Sequence, residues 1–349
     1  MKQRFEELDA IRGIAAFSVV MMHFILGINA ELLVFKLGTT LIDTFFILSG
    51  FVIFYSLESI SNYKEFIANR LSRLYPTYWA CVTLTFLLII FIALFRRNLS
   101  EINIVHYLGN LTMFQYYLKI PDLDGPYWTM IVEMLFYIVM LLLYYFKLLK
   151  HLNVIFLSIS IFLVLSIYLG LDKIWLTRIF YWMPLFQFLP LFHAGIVYYK
   201  IITKQDSPIM NYVVLLLCLL CQIFLYQYSG RTKMFADFTQ NAIMLVAYFL
   251  LFLLFVKHKL SFLVNKASLF LGKISYALYL THQKLSIILF VTYAGLFRLP
   301  LIIATPLTIL TAIAIANYIT NKIDIPYSKK MKIYLYKKFD LYKNKEEIQ

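Results

Sequence analysis

An arginine and a histidine stand eleven residues apart in the first apolar segment of the chain, Arg12 and His23. Eleven helical steps of 100° return to within about 20° of the starting direction and rise about 16 Å, so both side chains would face the same way. A guanidinium attracts anions, and imidazole accepts protons near neutral pH. The spacing predicts a linear site with the cation at its mouth and the base deeper inside. A snorkelling arginine with a hydrogen-bonded core histidine would give the same pattern.

Two more arginines, Arg70 and Arg73, share one face of a predicted short helix that ends before Pro76. Paired guanidinium groups at a membrane edge suit phosphate groups, and they suit lipid head groups equally well. Glu133 lies in the sequence GPYWTMIVEMLFY and is the only charged residue between Tyr127 and Phe146. A carboxylate at such a depth must be paired, protonated or directed into a cavity, so it is a candidate functional residue.

A second polar cluster lies in the sequence GKISYALYLTHQK, where Tyr279 and His282 are three residues apart. We expect His282 about 12 Å inside its span, close to the depth of His23, although hydrogen bonding between helices would also explain it. Asp43 falls near the outer end of the second span, and Ser49 lies beside Gly50, where small residues favour close helix packing. Trp128 stands at an interface, where tryptophan also serves as a plain anchor.

The elements that must position these residues are transmembrane helices. Hydrophobic residues make up 62% of the 349-residue chain and charged residues only 14%, whereas a soluble domain carries roughly 25% charged residues. We predict an all-α, polytopic membrane protein with about ten spans, since a crossing helix needs about 20 apolar residues. The predicted spans are 9–28, 38–57, 77–95, 126–146, 154–171, 181–199, 211–228, 238–256, 274–296 and 301–320.

Lysine and arginine are distributed unequally between alternate loops. With the N-terminus inside, the inner segments hold 21 of them and the outer loops nine, so the positive-inside rule predicts N-in and C-in. We divide the chain into a membrane domain, 1–325, and a basic cytoplasmic tail, 326–349. The tail could lie on anionic lipid or be solvated. Basic residues spread over loops make nucleic-acid binding a poor interpretation.

Cys81, Cys218 and Cys221 all fall within predicted spans. Cys218 and Cys221 would share a helix face, but zinc would need further ligands nearby. We therefore expect small buried hydrophobic residues and no metal site.

Five motifs in order carry a resemblance: LDAIRGIAAFSVVMMHF, FFILSGFVI, NRLSRLYPTYW, GPYWTMIVEMLFY and ISYALYLTH. Together, over about residues 5–325, they resemble the acyltransferase 3 family of integral membrane O-acyltransferases. The chain departs from that family's pattern at Met134, where many members have a second acidic residue. It departs again at Thr281, where an aromatic residue usually stands.

The resemblance implies a ten-span core that takes an acyl group from cytoplasmic acyl-CoA, most often acetyl-CoA, as a co-substrate. The acceptor would be a hydroxyl of a cell-surface or lipid-linked glycan at a bacterial inner membrane. It implies His23 and Glu133 as catalytic residues, with no tightly bound cofactor. His23 would either deprotonate the acceptor hydroxyl or be acylated itself. We expect the chain to act without an appended hydrolase-like domain. The acyl-CoA phosphates would be bound by Arg12, Arg70 and Arg73. Supporting residues of the site would be Asp43, Ser49, Trp128, Tyr279 and His282.

Three alternatives stay open from the sequence. The donor could be succinyl-CoA, which would make the protein an O-succinyltransferase of the same family. A transporter or flippase for a lipid-linked sugar would also carry charges within spans, although matched broken helices are not evident here. A membrane glycosyltransferase is a third alternative, but the first outer loop offers only Glu31 as an acidic residue.

Overall fold

The computed structural model describes residues 5–28, 37–171, 173–228 and 236–341. Every regular element in these ranges is a helix, which confirms the predicted all-α class. Numbered in chain order, the α-helices are α1 (Glu6–Ile28), α2 (Ile42–Glu58), α3 (Tyr63–Phe95), α4 (Ile104–Leu111), α5 (Trp128–Tyr145), α6 (Leu152–Tyr168), α7 (Lys173–Trp182), α8 (Leu189–Ile202), α9 (Pro208–Leu225), α10 (Phe238–Val256), α11 (Lys266–Phe290), α12 (Leu301–Ile319) and α13 (Ile325–Lys338).

Within the described ranges, seven helical segments are long and apolar enough to cross a membrane. They are Tyr63–Phe95, Gly125–Tyr145, Leu149–Tyr168, Pro208–Leu225, Phe238–Val256, Lys266–Leu296 and Leu301–Lys338. The first two predicted spans are also helical, as α1 and α2, but they are not among the seven. A polytopic membrane protein is therefore supported, while the count of ten and the N-in, C-in orientation stay predictions.

The predicted sixth span, 181–199, is divided. Helix α7 ends at Trp182, a 3₁₀ turn covers Pro184–Gln187, and α8 begins at Leu189. Proline lacks an amide hydrogen, so it is tolerated in a first helical turn and disfavoured further inside. Pro184 and Pro190 both stand in such first turns. The 14 residues of α8 rise about 21 Å, less than the hydrocarbon core of about 30 Å.

Pro76 does not begin a span. We predict a separate short helix for Arg70 and Arg73, and this prediction is wrong, because α3 runs unbroken through Pro76. The helix begins after Asn62, whose side-chain oxygen accepts the amide hydrogen of Lys64 at 2.9 Å. An internal proline removes one backbone hydrogen bond, which this 33-residue helix tolerates. Its length of about 50 Å exceeds the hydrocarbon core.

The basic tail continues the last span. Helix α12 passes through a π-helical segment, Thr320–Asp324, into α13, so the predicted boundary at 325 lies inside one helical segment of 38 residues. That length corresponds to about 57 Å, and part of it must extend beyond the hydrocarbon core. Helix α13 packs on α3, with Leu335 and Tyr336 buried against Ala68. The Tyr336 hydroxyl donates to Glu65 Oε1 at 2.9 Å.

The described residues form two compact units. The first unit comprises those within Met1–Met22, Glu31–Ile60 and Leu135–Gly272, and the second those within His23–Ala30, Ser61–Met134 and Lys273–Gln349. Three helices, α1, α5 and α11, contribute residues to both.

Glycines allow the helices of the first unit to touch at their backbones. A Cβ atom at Gly50 of α2 would collide with the carbonyl oxygen of Phe192 in α8, and one at Gly195 would collide with that of Ile47. Gly13 of α1 meets Gly272 of α11 in the same way. The close packing predicted for small residues in the second span is therefore confirmed at Gly50.

Candidate active site

The second unit brings two predicted histidines together. His23, from the end of α1, and His282, from α11, have ring centroids 5.0 Å apart with an interplanar angle of 41°. His282 is 1% exposed, whereas His23 is half-buried. Helical rise predicts similar depths for His23 and His282, and in the structure their rings are neighbours.

His282 is anchored by the backbone of its own helix. Its Nδ1 lies 2.6 Å from the carbonyl oxygen of Tyr279, one turn earlier. The Tyr279 ring stands 5.6 Å from the His282 ring, and its hydroxyl donates to Thr129 Oγ1 at 3.2 Å. Thr129 in turn donates to the carbonyl of Pro126 at 2.9 Å. The histidine is thereby linked to the start of α5.

Glu133 follows Thr129 by four residues on α5 and is half-buried. Residues four apart lie on the same helical face, one turn from each other. The carboxylate is therefore on the face of α5 that Tyr279 contacts, within the same unit as His23. Trp128 is the first residue of α5 and is also half-buried.

Asp124 is a buried carboxylate that the sequence analysis missed. It is 2% exposed, accepts the amide hydrogen of Gly125 at 2.8 Å, and accepts that of Lys284 at 3.2 and 3.3 Å. It thus fastens the loop before α5 to α11 two residues beyond His282. Burial raises the pKa of the Asp124 carboxyl to about 7. Its position directly before the GPYW motif was the available signal.

Gly125 lies against the same part of α11. A Cβ atom there would overlap the side chain of Gln283. The motif glycine therefore leaves room for the side-chain amide of Gln283, the residue that follows His282, to lie against the loop.

Arg73 is engaged by groups of the second unit. Its guanidinium pairs with Asp324 at 3.2 Å and lies 5.9 Å from the centre of the Tyr276 ring. Asp324 also accepts from Ser328 at 2.9 Å. The Arg73 side chain is still 45% exposed, so it can bind an anion that competes with Asp324. Asp324 was missed as well, although it is the only acidic residue between Asp237 and Asp340.

Arg70 lies one turn before Arg73 on α3, with its guanidinium 5.7 Å from the centre of the Phe66 ring. The shared face predicted for the two arginines is present, now on a continuous helix. Their role in binding phosphate stays a prediction.

Arg12 belongs to the first unit. It donates to Asp9 Oδ1 at 2.9 Å and to the carbonyl of Gly272 at 3.1 Å. Arg12 and His23 lie on one continuous helix, as their spacing predicted. Asp43, in the first turn of α2, is 6% exposed, and Ser49 is half-buried on the same helix. Both belong to the first unit.

Cys218 and Cys221 are buried on α9, as expected, and Cys81 is buried on α3. Cys218 Sγ lies 3.4 Å from Nδ1 of the buried His193, whose Nε2 faces Asn153 Oδ1 at 3.1 Å. Among the described residues, no group of three or more His, Cys, Asp or Glu side chains could hold a metal ion.

Chemically, the second unit offers two adjacent imidazoles, a carboxylate on the same face of α5 as Thr129, and an exposed guanidinium on α3. Imidazole can move the proton of an attacking hydroxyl, and a guanidinium can hold a phosphate. Such a set suits transfer of a group from a phosphate-bearing donor to an alcohol.

Comparison with known proteins agrees with this chemistry. A family model described as "Acyltransferase domain" matches residues 5–319. The chain is also 26% identical over 296 residues to a protein of Acidianus two-tailed virus named "Putative acetyltransferase ORF330", covering 78% of this chain and 80% of the viral protein. No solved structure matches the chain.

Proposed function

Because the chain belongs to the acyltransferase 3 family, we propose that it transfers an acyl group, in the first place acetyl, from acyl-CoA to a hydroxyl of a cell-surface or lipid-linked glycan. The observation that carries the proposal is the His23–His282 pair, with ring centroids 5.0 Å apart in a helical membrane protein. We place the protein in a bacterial inner membrane, with acyl-CoA arriving from the cytoplasm.

In this proposal the donor is held by its phosphates. Arg70 and Arg73 share one face of α3, and Arg73 is 45% exposed, so both can contact the nucleotide end of acyl-CoA. Arg12 is a further phosphate contact on α1, about 16 Å from His23 by helical rise. A pantetheine arm spans a distance of this order. The thioester would then lie close to His23.

The reaction needs a base and a proton donor. His23 takes the proton of the acceptor hydroxyl while the hydroxyl oxygen attacks the thioester carbonyl. The carbon–oxygen bond forms, the carbon–sulfur bond breaks, and the protonated imidazole returns its proton to the departing CoA thiolate. The products are an ester and free CoA. Glu133 would orient His23 or bind the acceptor sugar, and Trp128 would support it.

The test combines an in vitro and a cellular measurement. Purified protein in detergent is supplied with acetyl-CoA and with unacetylated glycan from cells that lack the gene, and free thiol release is followed together with glycan mass. We expect thiol release and a mass gain of one acetyl group per modified sugar. His23→Ala should abolish both without changing the elution volume. His151→Ala is the matched control, because that histidine is exposed at the end of the 3₁₀ turn that precedes α6.

Parallel reactions decide between the alternatives. Succinyl-CoA in place of acetyl-CoA identifies an O-succinyltransferase by the mass added to the glycan. A transporter or flippase leaves acetyl-CoA intact, and a glycosyltransferase adds the mass of a sugar. Normal glycan acetylation by the His23→Ala variant would refute the assignment of His23.

A further inference from the structure

His282 is a fully buried imidazole whose two ring nitrogens have different surroundings. Nδ1 lies 2.6 Å from the carbonyl oxygen of Tyr279. A carbonyl oxygen can only accept, so Nδ1 carries the hydrogen and donates it. In the neutral ring the lone pair then sits on Nε2. The backbone therefore fixes this histidine in one tautomer.

The Nε2 atom of His282 is buried and has no hydrogen-bond partner among the residues that the structure describes. Buried side-chain acceptors are satisfied in the large majority of cases, because leaving one unsatisfied destabilises the folded protein. A neighbouring side chain that can turn towards Nε2 is a suitable partner for such an atom.

His23 is that neighbour. Its ring centroid is 5.0 Å from that of His282, and its side chain is half-buried. An imidazole nitrogen lies about 1.1 Å from the ring centre, and an N–H···N hydrogen bond spans about 3 Å, so two bonded rings have centroids roughly 5 Å apart. The observed separation matches this value, so the bond requires only that a nitrogen of His23 face Nε2 of His282.

We propose, building on the proposed acyl transfer, that His282 is a positioning residue that sets the tautomer of His23. The order of contacts is the Tyr279 carbonyl, the His282 Nδ1–H, the His282 Nε2 lone pair and one N–H of His23. The second nitrogen of His23 is then left with its lone pair towards the acceptor hydroxyl. When His23 takes the hydroxyl proton, His282 stabilises the positive ring through the same hydrogen bond and gains no proton itself.

The half-buried position of His23 and the enclosure of His282 agree with this division of roles. A histidine that touches the substrate needs an open side, and one that only orients another histidine does not. The backbone anchor at Tyr279 supplies the rigidity that an orienting residue needs.

The test compares two substitutions of His282 that differ in one property. His282→Gln keeps a neutral acceptor near the position of Nε2, whereas His282→Leu removes the acceptor and fills a similar volume. We expect the leucine variant to lose about 10–100-fold in kcat, the equivalent of one hydrogen bond to a charged group. The KM for acetyl-CoA should stay unchanged, and the glutamine variant should retain most of kcat.

If His282 had a purely structural role, both variants would be impaired equally. If it had no role in catalysis, the leucine variant would keep the wild-type kcat. Either result overturns the inference. Nitrogen-15 NMR of the histidine rings supplies a readout that is independent of turnover, with the His23 signals identified by their loss in His23→Gln. We expect a single His23 tautomer in the wild-type protein and a mixture in His282→Leu.

Identical His23 ring spectra in the two proteins would refute the inference whatever the activity. A wild-type protein that neither consumes acetyl-CoA nor modifies glycan would refute the proposed function, while the ring spectra still decide whether His282 orients His23. The exposed His151, replaced by Gln, controls for the loss of one histidine.

Discussion

The buried carboxyl of Asp124 should make the stability of the protein depend on pH. Burial raises its pKa from 3.8 to about 7, so the native protein holds the proton more tightly than the unfolded chain. The stabilisation is fully present below a pH of about 3.8 and disappears as the pH rises through about 7. Replacing Asp124 by Asn removes the titration and keeps an oxygen that can accept from the Lys284 amide.

The size of the effect follows from the two pKa values. Between pH 5 and pH 8 the Asp124 contribution falls by about 2.5 kcal/mol, which corresponds to roughly 3 °C in melting temperature for a chain of 349 residues. Other groups titrate in the same interval. The quantity to compare is therefore the difference between wild type and Asp124→Asn at each pH, because shared contributions cancel in that difference.

Thermal unfolding in detergent micelles at several pH values between 5 and 8 measures this difference. We expect the wild-type melting temperature to fall relative to Asp124→Asn as the pH rises. Asp340→Asn, at an exposed position near the end of the last helix, is the matched control and should follow the wild-type curve. Parallel curves for wild type and Asp124→Asn across the whole interval would refute the reasoning.

Three further substitutions test other parts of the structure. Arg73→Ala should raise the KM for acetyl-CoA about tenfold with little change in kcat, since one charge-assisted contact is lost. Steady-state kinetics measure this, and Arg298→Ala, at an exposed position, is the control. An unchanged KM would show that Arg73 does not bind the donor. Gly50→Ala should lower the melting temperature by several degrees or prevent folding, because its Cβ would collide with backbone. Gly295→Ala should melt like wild type, because its Cβ would make only an ordinary contact with Val291, at 3.8 Å. Equal melting of the two variants would contradict the packing argument. Tyr279→Phe removes the hydrogen bond to Thr129, which is worth about 1 kcal/mol, so kcat should fall less than tenfold. A loss of kcat as large as that of His23→Ala would mean that the Tyr279 hydroxyl itself takes part in the chemistry.

Much of the helical framework follows from the sequence, because hydropathy and length decide which segments can cross a bilayer. The helix boundaries that were predicted wrongly lie at prolines. Pro76 lies inside a continuous helix, and Pro184 and Pro190 each begin a new element. A sequence shows that proline removes a hydrogen bond, but only the surrounding packing decides whether the helix breaks there.

Only part of the candidate site could be predicted, because contacts between distant parts of the chain are not visible in the sequence. Helical rise alone suggested that His23 and His282 lie at similar depths, and the motifs added Glu133 and the two arginines. The partners of these residues come from distant parts of the chain: Asp324 for Arg73, and Asp124 for the segment after His282. Spacing along one helix carries no information on such contacts, and the division into two units was not predicted either.

The last helix and the start of α3 are fastened together at two levels. Tyr336 donates a hydrogen bond to Glu65, and Asp324 pairs with Arg73. Glu65 and Arg73 are eight residues and about 12 Å apart along α3. Together with the packing of Leu335 on Ala68, two polar contacts at different heights form a splint that holds the two helices in register. A pull or twist applied beyond α13 would therefore be transmitted as a mechanical load to the arginine face. A protein fused or docked at that end would act on Arg73 without touching it.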